Sequence, residues 1–202
     1  MKRNAQAAAV ICAALTGSGI WSVAWPSAAR DAVAAEVARL DEENWDQYAP
    51  AGKEVDAIYG DFALCNEQLV AIIAEAKPKR HANLTIHDIG GCVIDLTRRD
   101  RPNDQLGALY PAGSRSLELV DVRSDGAVVA SSDEGSAEGQ VIELEYLATS
   151  ADDAKRPVEV RIVYTLADGD EGLSIRTTYV NTGDAPVEVE LRQPVRCDGE
   201  FE

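Results

Sequence analysis

Strict alternation of apolar and polar positions dominates the last third of the chain. Val158, Val160, Ile162, Tyr164 and Leu166 interleave with Glu159, Arg161, Val163 and Thr165. Beyond the turn Asp168-Gly169-Asp170-Glu171-Gly172, Leu173, Ile175, Thr177 and Tyr179 interleave with Ser174, Arg176, Thr178 and Val180. A second turn, Asn181-Thr182-Gly183-Asp184, leads into Val187, Val189 and Leu191 with Glu188, Glu190 and Arg192 between and after them. A period of two sends one face to a core and the other to water, so these segments predict a three-stranded antiparallel meander. Ile142, Leu144 and Tyr146 against Glu143 and Glu145 predict a fourth strand of the same kind.

Upstream, Ile58 to Leu64 and Leu69 to Ala74 predict a hairpin around Asn66-Glu67, and Cys92 to Leu96 follows Gly90-Gly91 as another strand. Leu117 to Val122 and Ala127 to Ala130 flank Ser124-Asp125-Gly126, a turn with a residue suited to positive φ. The polar stretches Ser131 to Gly139 and Thr149 to Arg156 predict surface connections. About eight to ten short strands with turn signals between them predict an all-β chain, an antiparallel sandwich over residues 55–202. No Gly-x-Gly-x-x-Gly, P-loop or βαβ alternation appears. The last residues, Asp198 to Glu202, offer no closing element, and the expectation is a sandwich cut short at that end.

The first residues follow other rules. Lys2 and Arg3 precede an uncharged run from Asn4 to Ala29 that ends in Ser27-Ala28-Ala29, so residues 1–29 predict a secretory signal peptide cleaved near Ala29 or Ala35. Gly17, Gly19 and Pro26 interrupt that run, and no stable membrane span is expected after cleavage. The protein is therefore expected in the periplasm or outside the cell. Val33, Val37 and Leu40 stand at helical spacing, which predicts a short helix and a helical linker over residues 30–54.

Charge narrows the partners. Among 202 residues, 35 Asp and Glu against 19 Lys and Arg give a net charge of −16, which loss of Lys2 and Arg3 deepens to −18. A surface that replaces phosphate counterions must be basic, so nucleic acid is not an expected partner. Two histidines leave little material for a metal centre, and no metal or cofactor is expected. Cys65, Cys92 and Cys197 form no Cys-x-x-Cys pair; one disulfide with a free thiol and three buried thiols are both open readings.

The acidic background is inverted locally. Lys77, Lys79, Arg80, Arg98, Arg99 and Arg101 fall within twenty-five residues together with His81 and His87, and Arg115 follows soon after. Guanidinium forks grip anionic or sugar oxygens and imidazoles donate or accept protons, so His81, His87, Arg98, Arg99 and Arg115 are the candidate ligand-binding residues; solvated loop charges are the plainer reading. An extended strand would hold the two imidazoles about 20 Å apart, too far to share a metal. Asp61, Asp95 and Asp121 are strand-flanking acids with the chemistry for a carboxylate pair. Trp45, Tyr48 and Tyr59 are expected to cover one end of the core.

The stretch His87-Asp88-Ile89-Gly90-Gly91-Cys92-Val93-Ile94-Asp95-Leu96, followed by Asp100 to Leu106, resembles the opening of the galactose mutarotase-like (aldose epimerase) β-supersandwich. Tyr164-Thr165-Leu166, Leu173-Ser174-Ile175 and Val180-Asn181-Thr182-Gly183-Asp184 are similar to a later hairpin of that fold. The segment from Glu54 to Pro111 also resembles N-terminal regions of secreted bacterial proteins that carry a PHP-type metallohydrolase domain downstream. The leader, the strand meander and the missing catalytic set lead, beside the resemblance, to the expectation of a non-catalytic module that binds a carbohydrate-like ligand or docks to a partner hydrolase domain not in this chain. Its alternatives are an epimerase-like enzyme with His87 or His81 as general acid, and a purely structural interaction domain.

Overall fold

Val160, Ile162, Tyr164 and Leu166 are all removed from solvent, as their alternation requires, and they form the floor of a two-sheet interior. The structure is a computed structural model that describes residues 34–49, 56–102, 106–113, 115–130, 136–149 and 157–197. Along these run β1 (Ala35–Arg39), α1 (Trp45–Tyr48), β2 (Phe62–Cys65), β3 (Leu69–Ile73), β4 (Val93–Arg98), β5 (Leu106–Leu109) and β6 (Ser116–Ser124). They continue as β7 (Ala127–Ala130), β8 (Ala137–Gly139), β9 (Val141–Thr149), β10 (Val158–Ala167), β11 (Ser174–Asn181) and β12 (Val195–Cys197). One sheet has the order β12-β5-β4-β3-β2-β1-β8 and the other β11-β10-β9-β6-β7. Every pairing is antiparallel, and the protein is an all-β sandwich.

The two sheets bury themselves differently. On β9 and β10 only alternate residues enter the core, while the other face is wet and carries a ladder of ions. There Glu145 accepts Arg161 Nη1 at 2.7 Å and lies 3.0 Å from Arg123, which in turn meets Asp121 at 2.7 Å. By contrast β2 and β3 are buried at every position, because the seven-stranded sheet has a second core on its far side. Phe62, Leu64, Leu69, Ala71 and Ile73 face the other sheet. Ala63, Cys65, Val70 and Ile72 face a cover made of Leu40, Tyr48, Ile86 and Ile89. The unbroken run Leu69-Val70-Ala71-Ile72-Ile73 is the sequence mark of a strand covered on both faces.

Two predicted elements take other forms. Instead of a helix, residues 35–39 form β1, an interior strand paired with β2 and β8, so the sandwich begins before residue 55. Ala35 and Val37 point into the inter-sheet core and Ala38 into the second. The alanines that raise helix propensity here let a strand sit between two close-packed layers, and pairing overrides propensity. The only helix among the described residues is the four-residue α1. The third meander strand does not form either: residues 187–191 belong to no strand, and the chain crosses to the other sheet, where β12 pairs with β5. Pro186 and Pro194 bracket the segment and cannot donate to a ladder.

The hairpins at Asn66-Glu67 and Asp125-Gly126 form as predicted, the latter with φ of 50° and 80°. The predicted surface stretch from Ser131 contributes β8 at its far end. The predicted signal peptide and the bulk of the connection after Thr149 lie outside the described residues. Cys65, Cys92 and Cys197 are all free thiols, the first two buried and the third exposed. No helix of the described residues is long and apolar enough to cross a membrane.

Candidate ligand-binding cleft

The connection between β3 and β4 is laid over the far face of the seven-stranded sheet and held by one buried ion pair. Asp61, fully buried, accepts Arg80 Nη2 at 3.0 Å through Oδ2. The same Oδ2 accepts the amide of Ile58, and Oδ1 accepts that of Glu75. Arg80 also donates to the carbonyls of Asp56 and His81, both at 2.7 Å. Its charge is thus matched and most of its donors are used, which is the condition under which a buried ion pair is tolerated. Arg80, one of the clustered cations, is therefore an anchor rather than a solvated loop charge.

Glycine closes the connection onto the sheet. At Gly91 (φ 77°) a Cβ would lie 2.6 Å from that of Leu117, so no side chain fits there. The Gly91 carbonyl accepts the hydroxyl of Tyr164 at 2.6 Å, which ties the loop to the floor of the opposite sheet. Burial raises the Tyr164 hydroxyl well above its ordinary pKa, so it remains a donor.

His81 and His87 are brought together, against the separation expected of a strand. Asn83 Oδ1 accepts the amides of Thr85 and Ile86, and Ala82 donates to the Ile86 carbonyl, so the chain doubles back between the histidines. Their rings stand edge to face with centroids 4.7 Å apart. The Asp88 amide donates to His81 Nδ1 at 3.0 Å, which places the His81 proton on Nε2 in the neutral ring. Asp88 itself has a φ of 54°. Among the described residues no three metal-ligating side chains converge.

Next to this loop a cleft of about 810 Å³ opens at one end of the sandwich, bounded also by the β5–β6 crossover, the end of β9 and β12. Lys77, Lys79, Arg115 and Arg196 line it with His87 and Tyr110; Asp88 and Glu118 are its acids. Tyr110 donates through its hydroxyl to the His87 carbonyl at 2.8 Å and through its amide to Pro194, joining the loop to the approach of β12. Burial raises the Tyr110 pKa, with the Cys92 thiol adding to the effect and Arg196 opposing it. Lys77 is paired with Glu75, which also holds Arg39 at 2.6 Å. Arg115 donates to the Ala112 carbonyl and lies over the Tyr179 ring, 5.5 Å from its centroid.

Of the five sequence-predicted site residues, His87 and Arg115 line the cleft and His81 backs His87. Arg98 and Arg99 do not join them. They lie at the other end of β4, about 17 Å away along the strand, where Arg98 forks onto Asp100 and the Arg99 amide donates to Gln68. Asp61 and Asp121 are not a carboxylate pair: Asp61 is given to Arg80 of the β3–β4 connection and Asp121 to Arg123 of β6. Lys79, Tyr110 and Arg196 are cleft residues that sequence reasoning did not single out as sites. Lys79 stood within the recognised basic run, whereas Arg196 arrives through the crossing of the chain after β11, for which no local pattern exists.

A second polar cluster lies elsewhere on the far face of the larger sheet. There Glu36 accepts the Tyr48 hydroxyl and lies 3.8 Å from the Cys65 thiol. Burial, reinforced by Glu36, pushes Cys65 up to about 11, so this thiol stays protonated and unreactive at neutral pH. Compared with known families, curated proteins and solved structures, the chain matches no family model, no curated protein and no solved structure.

Proposed function

We propose that this chain is a secreted, non-catalytic β-sandwich module that binds a carbohydrate-like ligand in the cleft between the β3–β4 connection and β12. One observation carries the reading: in a chain of net charge −16, loops from both sheets converge on a cleft of about 810 Å³ with four cations, a histidine and a tyrosine. That volume is of the size that accommodates a small ligand. The polar groups around it are occupied in holding the loop. His81 Nδ1 takes the Asp88 amide, and the Tyr110 hydroxyl is given to the His87 carbonyl, which suits a rigid binding site better than proton transfer. Secretion is supported by the leader pattern of residues 1–29.

Binding to an array of immobilised oligosaccharides tests the reading. Signal is expected for the native chain and a loss of about tenfold or more for Arg115→Ala; failure to bind any saccharide would leave the purely structural interaction domain. The presence of His87 in the cleft favours one other reading, an epimerase-like enzyme with that imidazole as general acid. Aldose turnover abolished by His87→Ala would establish it in place of the module.

A further inference from the structure

We infer that the cleft takes an acidic saccharide, whose carboxylate or sulfate groups are met by Lys79 and Arg196; this rests on the binding reading above and names the ligand's class. Among the described residues neither Lys79 nor Arg196 pairs with a carboxylate, whereas Lys77 and Arg98 each do. Ammonium and guanidinium groups only donate hydrogen bonds, and an anionic oxygen only accepts them. A neutral sugar hydroxyl must do both, and four cations are a poor match for it. The two acids of the lining, Asp88 and Glu118, supply acceptors for ring hydroxyls, which a bare inorganic anion has no donors to use. Cations and acids together therefore fit a ligand that carries both anionic groups and hydroxyls.

The backbone also commits Lys79 to this place. It has a φ of 59°, a conformation that costs a side-chain-bearing residue of this kind free energy. The neighbouring Arg80 is fixed inward by Asp61, and the Arg80 amide donates to the Lys77 carbonyl. Lys79 is thereby held in the wall of the cleft next to an immobile anchor. Arg196 reaches the same cleft from β12, at the edge of the larger sheet.

Calorimetric titration of the secreted chain with four probes tests the inference: trigalacturonate, a sulfated galactotriose, neutral galactotriose and inorganic sulfate. At about 50 mM salt at least one acidic trimer is expected to bind roughly tenfold more tightly than the neutral one and than sulfate, the better trimer identifying the anionic group. Raising the salt to about 500 mM should remove most of that advantage. Lys79→Gln and Arg196→Gln should each weaken the acidic trimer roughly fivefold more than they weaken the neutral trimer, with the melting temperature unchanged. Equal binding of neutral and acidic trimers overturns the acidic class and leaves the binding reading standing. Sulfate binding as tightly as the trimers overturns the saccharide part. Binding of no saccharide at all overturns the reading on which the inference rests.

Discussion

Tyr146 and Tyr164 stand edge to face in the inter-sheet core with ring centroids 5.6 Å apart, yet their hydroxyls differ. That of Tyr164 is given to Gly91, while that of Tyr146 is buried with no partner among the described residues. Tyr146→Phe removes an unsatisfied polar atom and is expected to stabilise the fold by about 1 kcal/mol, whereas Tyr164→Phe should cost about as much by leaving the Gly91 carbonyl unpaired. Urea midpoints of the two variants check the opposite signs. At the cleft, Lys79→Gly relieves the left-handed strain and should raise stability by about 0.5–1 kcal/mol while weakening the acidic ligand. The thiols separate by burial in the same way. Cys92 is pushed by burial to about 12 and Cys65 to about 11, so an alkylating reagent followed by peptide mapping should modify exposed Cys197 well before either.

Between elements, side chains decide which hairpins meet. Asn66, at the β2–β3 turn, donates through Nδ2 to the carbonyls of Ala167 and Asp170 in the β10–β11 turn. Its Oδ1 accepts the amides of Gln68 and Leu69. Asn66→Ala strips four hydrogen bonds from a buried site and should cost about 2–4 kcal/mol, read as a lower denaturant midpoint. The same scale shows what was legible beforehand. β6, β7, β9, β10 and β11 follow directly from alternation and Asp-Gly punctuation, because each has one dry face or a turn with its own chemistry. β1 was not legible, since an alanine-rich strand buried on both faces has no period of two to display. Val187, Val189 and Leu191 alternate without forming a strand, because the pattern specifies two faces but no hydrogen-bonding partner. The candidate site was legible as a charge inversion but not as a place. Only the turn at Asn83 brings His87 beside His81, only Asp61 makes Arg80 of the basic run an anchor, and only the chain crossing after β11 delivers Arg196.

At the level of the whole molecule, sheet, sheet and loop cover form three layers, and the Asp61–Arg80 pair joins the third to the second. Arg80→Ala leaves a buried carboxylate unpaired and is expected to cost about 3–5 kcal/mol, with loss of the cleft. Alkali should act on the same layers. Because the Cys65 and Cys92 thiols titrate higher in the folded chain than in the unfolded one, their contribution is complete below about pH 9 and is lost as pH rises toward about 12. The unfolding free energy should fall across that window. Amide-resolved NMR titration of the chain with the better-binding acidic trimer addresses the central claim most directly. Shifts confined to Lys79, Asp88, Gly90, Tyr110 and Arg196 are the expected result. Shifts centred on Arg98 and Arg99, or along the charged outer face of β9 and β10, with the cleft silent, would contradict it.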